Sequence, residues 1–62
     1  EKIALRQAID RLPEREGMVI RLRYFHALTQ DRVSKVLNVS QVQVSRIEKK
    51  ALAMLRELLR EG

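Results

Sequence analysis

The sequence contains no cysteine, which removes disulfides and thiolate metal sites, and its single histidine leaves no basis for a structural zinc site. Tryptophan is absent, and one Tyr and one Phe are the only aromatics, so any core must be built from Leu, Ile, Val and Ala. Glycine occurs only at positions 17 and 62 and proline only at 13, which leaves little to interrupt helices. No apolar run approaches the ~20 residues needed to span a bilayer, and there is no signal-peptide pattern. Absence of cysteine fits a reducing, cytoplasmic setting. The sequence shows no nucleophile–base–acid set, phosphate loop or metal cluster, so neither an enzyme nor a cofactor is expected.

What remains is a 62-residue chain, read as one domain over 1–62, near the lower limit for a single unstapled core. It begins at Glu1 rather than Met, and is expected to be a fragment of a longer chain. Thirteen Lys and Arg against eight Asp and Glu give a net charge of +5, which suggests a polyanionic partner. Charge alone does not separate a nucleic-acid binder from a helical domain that happens to be basic. Its distribution decides more.

Helical periodicity runs through the whole chain, so the expected fold class is all-α. Leu5, Ala8, Ile9 and Leu12 form one stripe of a first helix, which Pro13 stops. Pro13 suits the first position of a second helix, with Glu14 and Glu16 in its first turn. Met18, Val19, Leu22 and Phe25 are the expected core stripe of that helix. Ile20 and Tyr24, four apart, fall on another face and are either a second part of the core or candidates for docking a partner. His26, Ala27 and Leu28 read as a turn, with His26 an exposed turn residue. Thr29 is a good N-cap for a third helix carrying Val33, Val36 and Leu37 on its apolar side. Ser40 caps a fourth, and Gln43 completes a capping box. No breaker follows until Gly62, so this helix is expected to run to about residue 60.

The spacing between Ser34 and Ile47 is that of a helix-turn-helix. Ser34 is small where two helices approach closely, and Asn38 tolerates the left-handed turn conformation. Val39 fills the gap behind the turn, and Val44 and Ile47 present apolar side chains back to the preceding helix. Each residue has an ordinary explanation alone; together they are specific. On a wheel of about 100° per residue, Ile47, Ala51, Leu55 and Leu58 cluster near Val44 as the core side. Val42, Arg46, Lys49, Ala53 and Arg60 lie opposite, flanked by Ser45 and Arg56, with the acids Glu48 and Glu57 nearer the core. A face cleared of acids suits phosphate. On it, Arg46 matches a guanine edge, Gln41 an adenine edge and Val42 a thymine methyl. Lys49, Lys50 and Arg56 are candidates for phosphate, as are the backbone N–H groups of Thr29 and Gln30 at the start of the third helix.

The segments Leu12–Glu16, Ile20–Phe25, Thr29–Gln30 and Ser40–Glu48, with Ala51, Leu52, Leu55 and Arg56 after them, resemble region 4 of bacterial sigma factors from about Ile3 to Leu59. The wording from Ser40 to Glu48 looks most like sporulation and stress sigma factors of Gram-positive bacteria. The resemblance implies a four-helix domain with a helix-turn-helix, of the winged-helix-like, sigma region 4 type, that reads the −35 promoter element through its last helix. It implies base contacts at Gln41, Val42, Ser45 and Arg46, and backbone contacts at Arg15 and Arg23. It further implies docking on the β flap of core RNA polymerase, and on anti-sigma factors. Val42 and Ser45 stand where primary sigma factors carry charge, so a different promoter sequence is expected. Asn38 replaces the commoner turn glycine and Ser34 a common alanine, and both fit sterically.

Two other readings compete with promoter recognition. One is the output domain of another transcription regulator; the other is a helical protein-interaction module working through its second apolar face. Leu-Pro-Glu-Arg-Glu at positions 12–16 favours the sigma-like reading over the first, and the basic outward face argues against interaction alone.

Overall fold

A computed structural model describes the backbone of residues 2–61 and the side chains of residues 4–60. Four α-helices follow in order: α1 (Lys2–Asp10), α2 (Glu14–Ile20), α3 (Gln30–Leu37) and α4 (Gln41–Glu61). There is no strand among the described residues. The chain is thus an all-α, four-helix domain. The expected stop at Gly62 lies outside the described residues.

Pro13 is the N-cap of α2 rather than its first residue, with φ −54° and ψ 155°. Its carbonyl still accepts the first helical hydrogen bond, from Gly17 N–H at 2.8 Å. Gly17 faces the end of α1, where a Cβ would stand 3.4 Å from the Ile9 carbonyl and 3.8 Å from the Leu12 side chain, ordinary van der Waals contact. An ion pair between Arg21, the residue after α2, and Asp10 at the end of α1 ties the two at the surface.

After Ile20 the helix widens into a π-helical turn, Arg21–Phe25, closed by the bond from His26 N–H to the Arg21 carbonyl. A π turn winds more residues per revolution, so periodicity counted through it puts later side chains on the wrong face. Phe25, expected in the core, is exposed for this reason, and Met18 also lies at the surface. Ala27 then reverses the chain with φ 57°, a left-handed conformation that costs a Cβ-bearing residue about 1 kcal/mol.

Two clusters make up the interior. One joins Ala8, Ile9 and Leu12 of the α1 region to Ile20, Ala51 and Leu55. The other joins Val19, Val33 and Val44, with Leu22, Leu28, Leu37, Val39 and Ile47 packed around them. Helix α2 is buried on both sides, which corrects the assignment of Ile20 as a surface docking residue. Ile20 is 2% exposed, because it points into the wedge between α1 and α4. Val36, expected on the buried side of α3, is 59% exposed, since α3 meets its neighbours through Val33 and Ser34 alone among its fully buried positions.

Candidate nucleic-acid interface

The helix-turn-helix is α3, the turn through Asn38 and Val39, and α4. Thr29 Oγ1 accepts from Arg32 N–H at 3.2 Å and starts α3. Ser34 is buried at the helix crossing, where its hydroxyl donates to the Asp31 carbonyl at 2.6 Å rather than reaching across. Asn38 takes the left-handed conformation, φ 59° and ψ 46°, and Val39 N–H returns to the Ser34 carbonyl at 3.0 Å. The capping box of α4 is reciprocal: Gln43 N–H donates to Ser40 Oγ at 3.1 Å, and Gln43 Oε1 accepts from Ser40 N–H at 3.2 Å. These local bonds set where α4 begins, and hence which of its side chains face outward.

Val44, Glu48, Ala51 and Leu55 are the buried line of α4. Gln41, Val42, Arg46, Lys49 and Arg56 are exposed, and Ser45 sits half-buried at the edge of that face. No ion pair engages Arg46, Lys49 or Arg56 among the described residues, so their charge faces solvent. Arg15 is exposed beside Leu37, Val39 and Ile47, at the flank of the turn. Lys50 lies elsewhere. Its ammonium is 3.9 Å from the largely buried Glu16 carboxylate, on the side of α4 that faces α2.

One expected phosphate ligand, Arg23, is committed inward, and so is the side chain of Gln30, whose expected contact is through its backbone N–H. Arg23 donates through Nε to Glu48 Oε1 at 3.0 Å and through Nη1 to the Leu28 carbonyl at 2.8 Å. The Gln30 amide donates to the same Oε1 at 3.0 Å. Tyr24 completes the set, its hydroxyl donating to Glu48 Oε2 at 3.0 Å. Arg23 is therefore a structural cation in this arrangement, not a free one, and Gln30 offers only its backbone outward. Burial works to raise the Glu48 pKa, but the hydrogen bonds from Gln30, Arg23 and Tyr24 and the Arg23 charge outweigh it and hold it below the usual value. The hydrogen bond to Glu48, then burial, then the carboxylate charge push the Tyr24 phenol upward. In the sequence Glu48 shows only as an acid near the core; nothing local announces partners 18 to 25 positions away.

A second surface lies on the α1 side of α4. Leu5, Ile9, Ile20, Tyr24, Phe25, Leu52 and Leu55 line an apolar groove of about 270 Å³. Tyr24 stands on its rim at 54% exposure, while Ile20 contributes only to the floor. Leu5, Phe25 and Leu52 are the projecting apolar residues here, and the Arg6 guanidinium stacks over the Phe25 ring, 5.4 Å from its centroid. Among the described residues no group of side chains is arranged to hold a metal ion, and no helix is long and apolar enough to cross a membrane.

Residues 8–57 match the family described as Sigma-70, region 4. The chain is 50% identical over 56 residues to the RNA polymerase sigma-F factor of Priestia megaterium, covering 90% of this chain and 22% of that protein. It is 40% identical over 57 residues to the RNA polymerase sigma-G factor of Bacillus subtilis strain 168, covering 92% and 22% respectively. The RNA polymerase sigma factor SigF of Mycobacterium tuberculosis is 44% identical over 55 residues, covering 89% and 21%. The chain thus spans about a fifth of the length of the curated relatives it matches, and no solved structure matches it. These relatives are sigma-F and sigma-G factors, in line with the wording of Ser40 to Glu48. With its helix-turn-helix inside the matched span, the chain belongs to the Sigma-70, region 4 family.

Proposed function

We propose that the chain recognises the −35 element of promoters as the DNA-binding domain of an RNA polymerase sigma factor. The observation that carries this reading is the outward start of α4. A reciprocal capping box fixes the helix start, leaving Gln41, Val42 and Arg46 exposed with Ser45 at their edge. Arg46 and Gln41 supply forked donors and acceptors for base edges, and Val42 an apolar contact for a thymine methyl. Lys49, Arg56 and Arg15 contact phosphates around them, as do the backbone amides at Thr29 and Gln30. Lys50 contributes less, because Glu16 partly neutralises it.

The second partner is core RNA polymerase, through its β flap, and the apolar groove from Leu5 to Leu55 supports that assignment. An anti-sigma factor would take the same groove. The relatives named sigma-F and sigma-G support a sporulation or stress regulon and a cytoplasmic setting. The function is binding, with no catalytic step assigned to any residue.

Selection of duplexes from a randomised pool by the full chain tests the DNA reading. A single short motif should emerge, and Lys49→Ala should weaken binding to all sequences alike while shallowing the salt slope by about one unit. Recovery of unrelated sequences with no shared motif would exclude base-specific recognition.

A further inference from the structure

Glu48 is an acid inside the helix that faces DNA, in a chain of net charge +5. Electrostatically it works against phosphate binding, so its value must lie elsewhere. Its side chain is 8% exposed and accepts three hydrogen bonds, all near 3.0 Å, from Arg23, Tyr24 and Gln30. Those donors belong to the π-helical turn and to the first residue of α3. Arg23 extends the network to the loop through the Leu28 carbonyl. No buried side-chain polar atom is left without a partner among the described residues. One carboxylate therefore joins α4 directly to the π-helical turn and the start of α3, and through Arg23 to the loop between them.

We propose that Glu48 is a positioning residue for base reading: it pins α4 against the start of α3 and the π-helical turn, and so sets the angle at which Gln41, Val42 and Arg46 meet the major groove. The inference rests on the DNA-reading function proposed above. Gln41 precedes Glu48 by seven residues, about 10 Å along the helix. A tilt of about 10° at Glu48 would move Gln41 by about 2 Å, more than a bidentate base contact tolerates. The network also holds Arg23 away from phosphate. Loss of Glu48 should then degrade discrimination more than affinity, and release of an acid should leave non-specific binding intact or stronger.

The experiment compares binding of the full chain to its own selected duplex and to a scrambled one, across a range of salt. Glu48→Gln should lower the specific-to-non-specific ratio about tenfold, with the salt slope unchanged and non-specific affinity held or raised about twofold. Arg23→Ala should leave the salt slope unchanged, and the double variant should discriminate no worse than Glu48→Gln alone, within twofold. Tyr24→Phe removes one donor from an exposed ring without threatening the fold, and should lower the ratio about threefold. The proposal is overturned if Glu48→Gln, or Tyr24→Phe where Glu48→Gln does not fold, keeps the wild-type ratio. It is also overturned if Arg23→Ala loses about one unit of salt slope, which would make Arg23 a phosphate ligand. A wild-type chain that binds both duplexes alike overturns the DNA-reading function itself, a result distinct from equal discrimination by wild type and variant.

Discussion

Val19 and Ile20 are neighbours in sequence, yet they bury their side chains in different clusters. Val19 packs under the helix-turn-helix with Val33 and Val44; Ile20 packs between α1 and the later turns of α4 with Ile9, Ala51 and Leu55. The first cluster is enclosed by capped helix ends and a polar network, and its outer surface is small, polar and basic. The second opens onto an apolar groove. Helix α4 runs through both, so one element serves two surfaces: its first turns present the side chains proposed to read DNA, and its later turns floor the groove proposed for a partner. In a domain this small, a second core is what frees one end of a long helix to be polar.

Removing the floor of the second cluster should have the largest effect. Ile20→Ala deletes a fully buried side chain and is expected to cost about 2–5 kcal/mol, much of the stability a domain of this size commands. Circular dichroism melts should show the midpoint fall sharply; an unchanged midpoint would place Ile20 outside the core. Ile47 is only half-buried at the rim of the other cluster, so Ile47→Ala should cost less than Ile20→Ala.

Acid should strike the helix-turn-helix side selectively. The Glu48 pKa is depressed in the folded chain, so its contribution is fully present above the ordinary value of 4.5 and is lost as pH falls through the lower folded value. Wild type should lose stability in that acid window, and Glu48→Gln should flatten this part of the curve. Equal acid sensitivity in both would remove Glu48 as the source.

Smaller effects separate the two clusters further. Ala27→Gly relieves a left-handed Cβ in the loop between the π-helical turn and α3 and should raise stability by about 0.5–1 kcal/mol. A lower melting point would show that the loop gains more from alanine's restricted unfolded chain. Leu52→Lys places a charge on the groove and should change stability by less than about 0.5 kcal/mol while leaving DNA binding intact and weakening polymerase association. Unaltered association would move the partner surface elsewhere.

The parts of the fold legible in the sequence are those written in local chemistry. Thr29, Asn38, Ser40 and Gln43 each act on backbone groups within a few residues, and each occupies its expected place. The periodicity of α4 also holds, since no breaker interrupts it from Gln41 to Glu61. What local pattern could not convey was the π-helical turn, which rotates Arg23, Tyr24 and Phe25 off the expected wheel. The Glu48 network was hidden for a related reason: a carboxylate and its donors so far apart in sequence are joined only once the helices cross. Periodicity puts Ile20 off the main stripe but does not tell a second buried side from a partner surface; the crossing of α1 and α4 over α2 makes it the former.

Base reading by the first turns of α4 meets its sharpest test at Arg46. Lysine there keeps the charge but loses the guanidinium fork, and one good bidentate pair discriminates by ~1–3 kcal/mol. Selection of sites from a randomised pool by Arg46→Lys should recover the parent motif with preference relaxed at one base pair and non-specific affinity retained. If Arg46→Lys and Arg46→Ala both return the parent sequence unchanged, Arg46 holds only a phosphate and does not read a base.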